Sequence, residues 1–193
     1  PEPPDPVPVP RLASPSSWPR SVTLGDLSLE PSVDWAGGMD EAWNPGEAGA
    51  QEELERFLEH ALQAYPEGRD IPSVNKTSRM SPYLHFGEIS PRTVWHAVKE
   101  AAEAGGKRGL IKGSEEYLRE VVWREFSYHL LFHFPHTTEI PLRPEFEHFP
   151  WDNNPAYLKA WQKGETGYPM VDAGMRQLWQ TGWMHNRVRM VVG

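Results

Sequence analysis

Proline sets the first limit on this chain. Half of its 20 prolines fall within residues 1–46, at Pro1, Pro3, Pro4, Pro6, Pro8, Pro10, Pro15, Pro19, Pro31 and Pro45. Each one fixes φ near roughly −65° and removes an amide donor, so no continuous helix or inner strand fits there. Residues 1–46 are therefore predicted to be an extended, irregular linker, wrapped over another surface or disordered. Trp18, Trp35 and Trp43 are candidate anchors for it. A domain does not ordinarily open in this way, so a further domain is expected before the linker.

From Glu47 onward the spacing is helical. Residues 48–64 put Leu54, Phe57, Leu58, Ala61 and Leu62 on one face. Ser90-Pro91 reads as an N-cap with proline in the first turn, and Gly105-Gly106 as the stop. Further helices are predicted from Ser114 to about His133, where Pro135 follows, and from Asn154-Pro155 to about Gly164. Another is predicted from Met170 to Thr181, broken by Gly182, and a last one from about Met184, still running at Gly193. No strand-like alternation and no internal repeat is visible. The fold class is all-α over 47–193, with the final helix expected to continue past the C-terminus.

Charge and composition remove other classes. The net charge of −8 divides into −10 over residues 1–70 and +2 over 71–193, so the chain is not a nonspecific polycation, although the second part has room for a local basic groove. There is no cysteine, hence no disulfide scaffold, thiolate metal site or thiol catalysis. No apolar run approaches the roughly 18 residues of a spanning helix. PEPPDPVPVP lacks the basic start and apolar core of a secretory signal. Tryptophan is abundant, with nine residues.

Three constellations could carry chemistry. In Asn75–Leu84 the hydroxyls of Thr77, Ser78 and Ser81 surround Arg79 beside Pro82, a set suited to phosphate oxygens and equally to an ordinary ST-turn. In Glu116–Phe126, Glu120, Trp123 and Arg124 share one helix face. A carboxylate, an indole and a guanidinium suit a planar ligand beside a phosphate, or simply an intrahelical ion pair next to a half-buried tryptophan. In Gly182–Met190, Arg187 and Arg189 project to different sides, toward an anion or toward solvent. Two decoys stand beside these. His129 and His133 have metal-ridge spacing after Glu125, but their aromatic and aliphatic neighbours favour packing, and no metal is expected. Gly105–Gly109, with Lys107 and Arg108, lacks the spacing and the preceding strand of a phosphate loop.

TSRMSPYLHFGEISPR (Thr77–Arg92), EVVWREF (Glu120–Phe126), WDNNPAYLKAWQKGETGYPMVDAGMRQL (Trp151–Leu178) and TGWMHNRVRM (Thr181–Met190) resemble the photolyase/cryptochrome family. Among its members they are most similar to class I cyclobutane-pyrimidine-dimer photolyases. The similarity runs from Tyr65 to Gly193. It implies a helical FAD-binding domain, here truncated at the C-terminus and lacking the N-terminal α/β antenna domain, with 1–46 as interdomain linker. It further implies light-driven repair of cyclobutane pyrimidine dimers by electron transfer from reduced, non-covalent FAD to a flipped-out dimer. The partner would be UV-damaged DNA and the protein a cytoplasmic monomer with no membrane association. The antenna chromophore, of folate or deazaflavin type, would sit on the absent domain.

Residue by residue, the resemblance assigns Tyr65 and Thr77, Ser78, Arg79, Met80 and Ser81 to the FAD phosphates and ribityl chain. It assigns Asn186 and Arg189 to the isoalloxazine ring, with Asn186 also near DNA. Glu120 would hydrogen-bond the dimer, Trp123 would stack on it and Met190 would touch it. Arg69, Arg124 and Arg187 would contact DNA phosphates, with Arg124 also shared with Glu120. Trp151 would be the outermost tryptophan of the photoreduction chain, with Trp161 close to it. The family's adenine-side loop, its acidic partner for Arg189 and two inner tryptophans have no counterpart up to Gly193, so this chain alone is expected to be inactive. Two other readings remain open, a cryptochrome that senses blue light without repair and a helical DNA-binding module without cofactor. Plant cryptochromes usually replace the tryptophan matching Trp123. A (6-4) photolyase fits less well, because it would carry a histidine pair where Met184-His185-Asn186-Arg187 stands.

Overall fold

The computed structural model describes residues 2–8, 10–11, 13–23, 25–29, 32–106 and 108–193. Pro1 and Pro31 of the proline-rich stretch, and Lys107 of the glycine-basic run, lie outside the described residues. Among those described no strand forms, and the architecture is all-α. The helices are α1 (Gly37–Ala42), α2 (Glu47–His60), α3 (Tyr65–Gly68), α4 (Ser81–Phe86), α5 (Pro91–Gly105), α6 (Arg108–His133), α7 (Pro155–Lys163), α8 (Pro169–Thr181) and α9 (Asn186–Val192). No helix among the described residues is long and apolar enough to cross a membrane.

Local capping chemistry sets several boundaries as expected. Ser90 Oγ accepts from the Arg92 amide at 3.2 Å and opens α5. Asn154 Oδ1 accepts from the Ala156 and Tyr157 amides and opens α7. Gly182 closes α8 at φ +69°, a left-handed value that costs glycine little.

Three boundaries differ from the sequence expectation, two because of contacts remote in sequence and one because of a local cap. The helix expected over 48–64 ends at His60. Ala61 then turns out of helical geometry so that it and Leu62 enter the core, and Lys76 Nζ donates to the freed His60 carbonyl at 2.8 Å. The helix expected from Ser114 begins at Arg108. Ser114 lies inside it, buried, with its hydroxyl 3.5 Å from the Val98 carbonyl oxygen. Gly113 permits this, since any Cβ there would collide with the Leu62 carbonyl oxygen where α6 crosses the 62–64 turn. The last helix begins at Asn186 rather than near Met184, because the His185 side chain acts as its N-cap and accepts from the Arg187 amide at 3.2 Å.

Two apolar cores result. The larger joins α2, α4, α5 and α6 through Leu54, Phe57, Leu62, Met80, Val94, Val98 and Leu118. The smaller joins α8 and α9 through Met175, Met184, Val188 and Val192, with Trp161 of α7 against it and its Nε1–H on the Val192 carbonyl. The proline-rich segment is not wholly irregular, since α1 lies within it and packs on α8. Its anchors are Trp43, whose Nε1–H donates to the Thr181 carbonyl at 2.6 Å, and Trp35, whose ring lies 6.2 Å from that of Trp179. Trp18, the third candidate anchor, is 79% exposed. Farther back, Glu2 pairs with Lys99 at 3.5 Å along α5.

The turn between α7 and α8 hangs on one carboxylate. Asp172 accepts from the Thr166 amide and hydroxyl at 2.7 and 2.6 Å and from the Gly167 amide at 2.9 Å. The Thr166 hydroxyl, the two amides and Arg176 hold its pKa below the usual value. A depressed folded pKa contributes stability above the unfolded value of about 4, lost as pH falls through the folded one. Asp172→Asn is expected to lower stability at neutral pH and to flatten the acid-side fall in stability. Urea unfolding at neutral pH and near about pH 3 reads both effects, and an unchanged acid-side slope would refute them.

Candidate functional site

A cavity of about 580 Å³ opens between the two cores. Its floor is aromatic. Tyr65 and Tyr117 meet edge to face at 5.4 Å, with Phe57 behind them. Burial pushes the Tyr117 phenol up to about 12, and it raises Tyr65 as well, so both stay neutral hydrogen-bonding groups at ordinary pH.

One wall is the 77–81 segment, where Thr77, Ser78, Arg79, Met80 and Ser81 line the space together. Arg79 has φ +52°, a left-handed conformation that a side chain with a Cβ adopts only when held there. The holding contacts are the Trp43 ring, 4.3 Å from its guanidinium carbon, and the Trp183 ring at 5.5 Å. Arg56 Nη2 donates to the Thr77 carbonyl, and Ser78 Oγ accepts from the Met80 amide at 3.4 Å, so an ST-turn also forms here. The opposite wall is α6, which contributes Glu120, Trp123 and Arg124. Asn186 and Arg189 come from α9.

The expected Glu120–Arg124 pair does not form. Glu120 Oε1 instead accepts from Arg69 Nη1 at 2.6 Å, while Arg124 donates to the Leu84 carbonyl and the Tyr128 hydroxyl and lies over the Tyr128 ring at 4.7 Å. The reason is geometric. Arg69 caps α3 directly against α6, and the free carbonyl end of α4 draws Arg124 away. Arg187 and Arg189 do serve different partners, Asp70 Oδ1 at 2.6 Å and the Met184 carbonyl at 3.1 Å.

Tyr65, Arg69, the 77–81 segment, Glu120, Trp123, Arg124, Asn186 and Arg189 therefore share one cavity, and three further candidates, Arg187, Met190 and Trp151, lie outside its lining. Met190 is 68% exposed on the outer face of α9 beside Arg187, and Trp151 is 74% exposed against Phe149. Sequence reasoning missed Tyr117, Ser127, Tyr128 and Trp183 as lining residues. The first three extend the Glu120–Trp123–Arg124 face at helical spacing, a signal that was present. Trp183 had no such signal, because its place depends on how α8 and α9 join. His129 and His133 pack edge to face at 4.4 Å. Among the described residues no group of three or more His, Asp or Glu is disposed to hold a metal ion.

Residues 117–193 match the family described as the FAD binding domain of DNA photolyase. Over 182 residues the chain is 48% identical to the deoxyribodipyrimidine photo-lyase of Agrobacterium fabrum, covering 94% of this chain and 37% of that protein. The chain belongs to the photolyase/cryptochrome family. Cryptochrome-1 of Sinapis alba is 41% identical over 187 residues, 95% of this chain and 37% of its own length. Among solved structures, a bacterial class III photolyase from Agrobacterium tumefaciens superposes with a TM-score of 0.87 at 48% identity, over 94% of this chain and 37% of that one. The chain thus spans a little over a third of these relatives. The match to the family's FAD-binding domain starts at Tyr117 on the cavity floor and takes in the α6 and α9 walls, while Tyr65 and the 77–81 segment precede it.

The floor has a measurable signature. In the unfolded chain a phenol ionises near about 10, whereas Tyr117 holds its proton to about 12. Its contribution to stability is present below the unfolded value and is lost as pH rises toward the folded one. Tyr117→Phe is expected to reduce the slope of stability against pH between those values, read by denaturant unfolding. An identical slope in the variant would mean that Tyr117 already reaches solvent.

Proposed function

We propose that this chain is the flavin- and lesion-binding part of an enzyme that repairs cyclobutane pyrimidine dimers in DNA, using light absorbed by reduced FAD. The observation that carries this reading is a shared cavity. Glu120 and Trp123 open into the same space as the Thr77, Ser78 and Ser81 hydroxyls and Arg189. The donor set fits FAD, with hydroxyls and cations for a pyrophosphate at one end and aromatic and polar groups for a planar ring at the other. Thr77, Ser78, Arg79 and Ser81 would hold the phosphate and ribityl portion, Asn186 and Arg189 the ring. Bound there, reduced FAD supplies a light-driven electron to the dimer.

The chain's own residues do the rest. A dimer stacked within duplex DNA must flip outward to reach a cavity, and its poor pairing lowers that cost. Trp123, 56% exposed at the cavity mouth, offers a stacking face to the extruded dimer. Glu120 presents a carboxyl group where charge develops on the dimer, and its bond to Arg69 fixes that group before the lesion arrives. Arg124, in the cavity lining, and Arg187, paired with Asp70 beside Arg69, are read as phosphate contacts. Trp151 sits at the surface, which suits entry of an electron from an external reductant. Residues 1–46 are read as the linker to a further domain, supported by their proline content and by the contacts of Glu2 and Trp43 along the helices. The chemistry proposed does not depend on the class I or class III assignment.

A second reading, a blue-light receptor without repair, is favoured by the 41% identity to the Sinapis alba cryptochrome. The two separate in the intact protein. Under the repair reading, Trp123→Ala weakens binding to dimer-containing DNA by the roughly 1–3 kcal/mol of one stacking contact and leaves undamaged DNA nearly untouched. Glu120→Gln lowers repair per absorbed photon more than it lowers affinity. If the unaltered protein neither repairs dimers under blue light nor prefers damaged DNA, the receptor reading replaces this one.

A further inference from the structure

Asp70 has no role in the reading above, yet it stands where two arginines converge. Its Oδ1 accepts from Arg187 Nε at 2.6 Å and lies 3.6 Å from Arg69 Nε. Arg69 in turn donates to Glu120 at 2.6 Å. Glu120, Arg69, Asp70 and Arg187 thus form a chain of alternating charge that starts on α6, passes the end of α3 and finishes on α9, joining the elements of both cores across the cavity rim. The Arg187 bond also holds the Asp70 carboxyl below its usual pKa, so it stays ionised near neutrality.

A carboxylate is the wrong charge for a surface that meets a polyanion. By Coulomb's law alone its removal should tighten DNA binding. Orientation acts in the opposite direction. An exposed arginine has many rotamers, and ordering it on a phosphate costs affinity unless something already holds it. Asp70 takes the Nε edge of Arg187, while Nη1 is set against Met190 Sδ at 3.5 Å, so the guanidinium is fixed at two points.

We propose that Asp70 is a positioning residue for DNA binding, one that holds Arg187 and, through Arg69, steadies the lesion-facing Glu120. The inference rests on the DNA-repair reading and extends it to a residue with no contact of its own to the lesion.

The test measures binding of the intact protein to plain and dimer-containing duplexes across a salt series, for Asp70→Ala, Asp70→Asn and Arg187→Ala. Asp70→Ala is expected to weaken binding to both duplexes, by roughly three- to tenfold for one unheld side chain, despite the gain of positive charge. Asp70→Asn keeps an oxygen acceptor for Arg187 Nε and is expected to recover most of that loss. Arg187→Ala should weaken both duplexes and reduce the salt slope by about one. Tighter or unchanged binding by Asp70→Ala, or a loss of equal size in Asp70→Asn, overturns the positioning role while leaving the repair reading intact. Should Arg187→Ala bind DNA like the unaltered protein, the phosphate contact itself is wrong and both claims fall together.

Discussion

Arg79 lies against two indoles that come from segments far apart in the sequence, and the cavity depends on those contacts. Trp43 belongs to the end of the proline-rich segment, packs on the larger core and ties itself to the carbonyl end of α8. Trp183 belongs to the turn that leads into α9 and the smaller core. A guanidinium over an aromatic face is worth roughly 0.5–2 kcal/mol per contact, more as water is excluded. Two such contacts are of the size needed to offset the roughly 1–3 kcal/mol of a residue forced into left-handed backbone. The strain in turn sets the course of residues 77–81, whose hydroxyls line one wall.

The electrostatics of the rim follow from the same arrangement. Residues 1–70 are strongly acidic, a poor match for DNA taken as a whole. Along the rim, however, each acid is engaged with an arginine, so Glu120 and Asp70 meet guanidinium groups rather than an approaching phosphate. Charge there serves orientation more than net attraction. That suits the proposed repair reading, in which one distorted site is recognised among many ordinary ones and discrimination would come from the stacking and hydrogen-bonding groups at the cavity mouth rather than from the backbone contacts.

Legibility from the sequence tracked the range of the interaction. Ser90 and Asn154 announce their helices because a cap bonds two or three residues ahead. Ser114 is a poor marker for the start of α6, which begins at Arg108, because the close crossing of Leu62 at Gly113 is not visible in the sequence. Glu120 and Arg124 have ideal spacing for a pair, yet Arg69, 51 residues away, takes the carboxylate. The gathering of Thr77–Ser81, Glu120, Trp123, Asn186 and Arg189 into one cavity was foreseeable only through motif resemblance. Nothing in their spacing brings elements a hundred residues apart together. Trp183 escaped notice for the same reason.

The central claim is that one cavity, walled by both cores, holds the flavin. Hydrogen–deuterium exchange on the intact protein with and without FAD tests it most directly, since a ligand seated there must slow exchange on both walls at once. The account predicts added protection at 77–81 and at 186–189, with the Trp35–Trp179 face unchanged. Saturating FAD that leaves both segments exchanging at their free rate, or protection confined to the Trp35–Trp179 face, would contradict it.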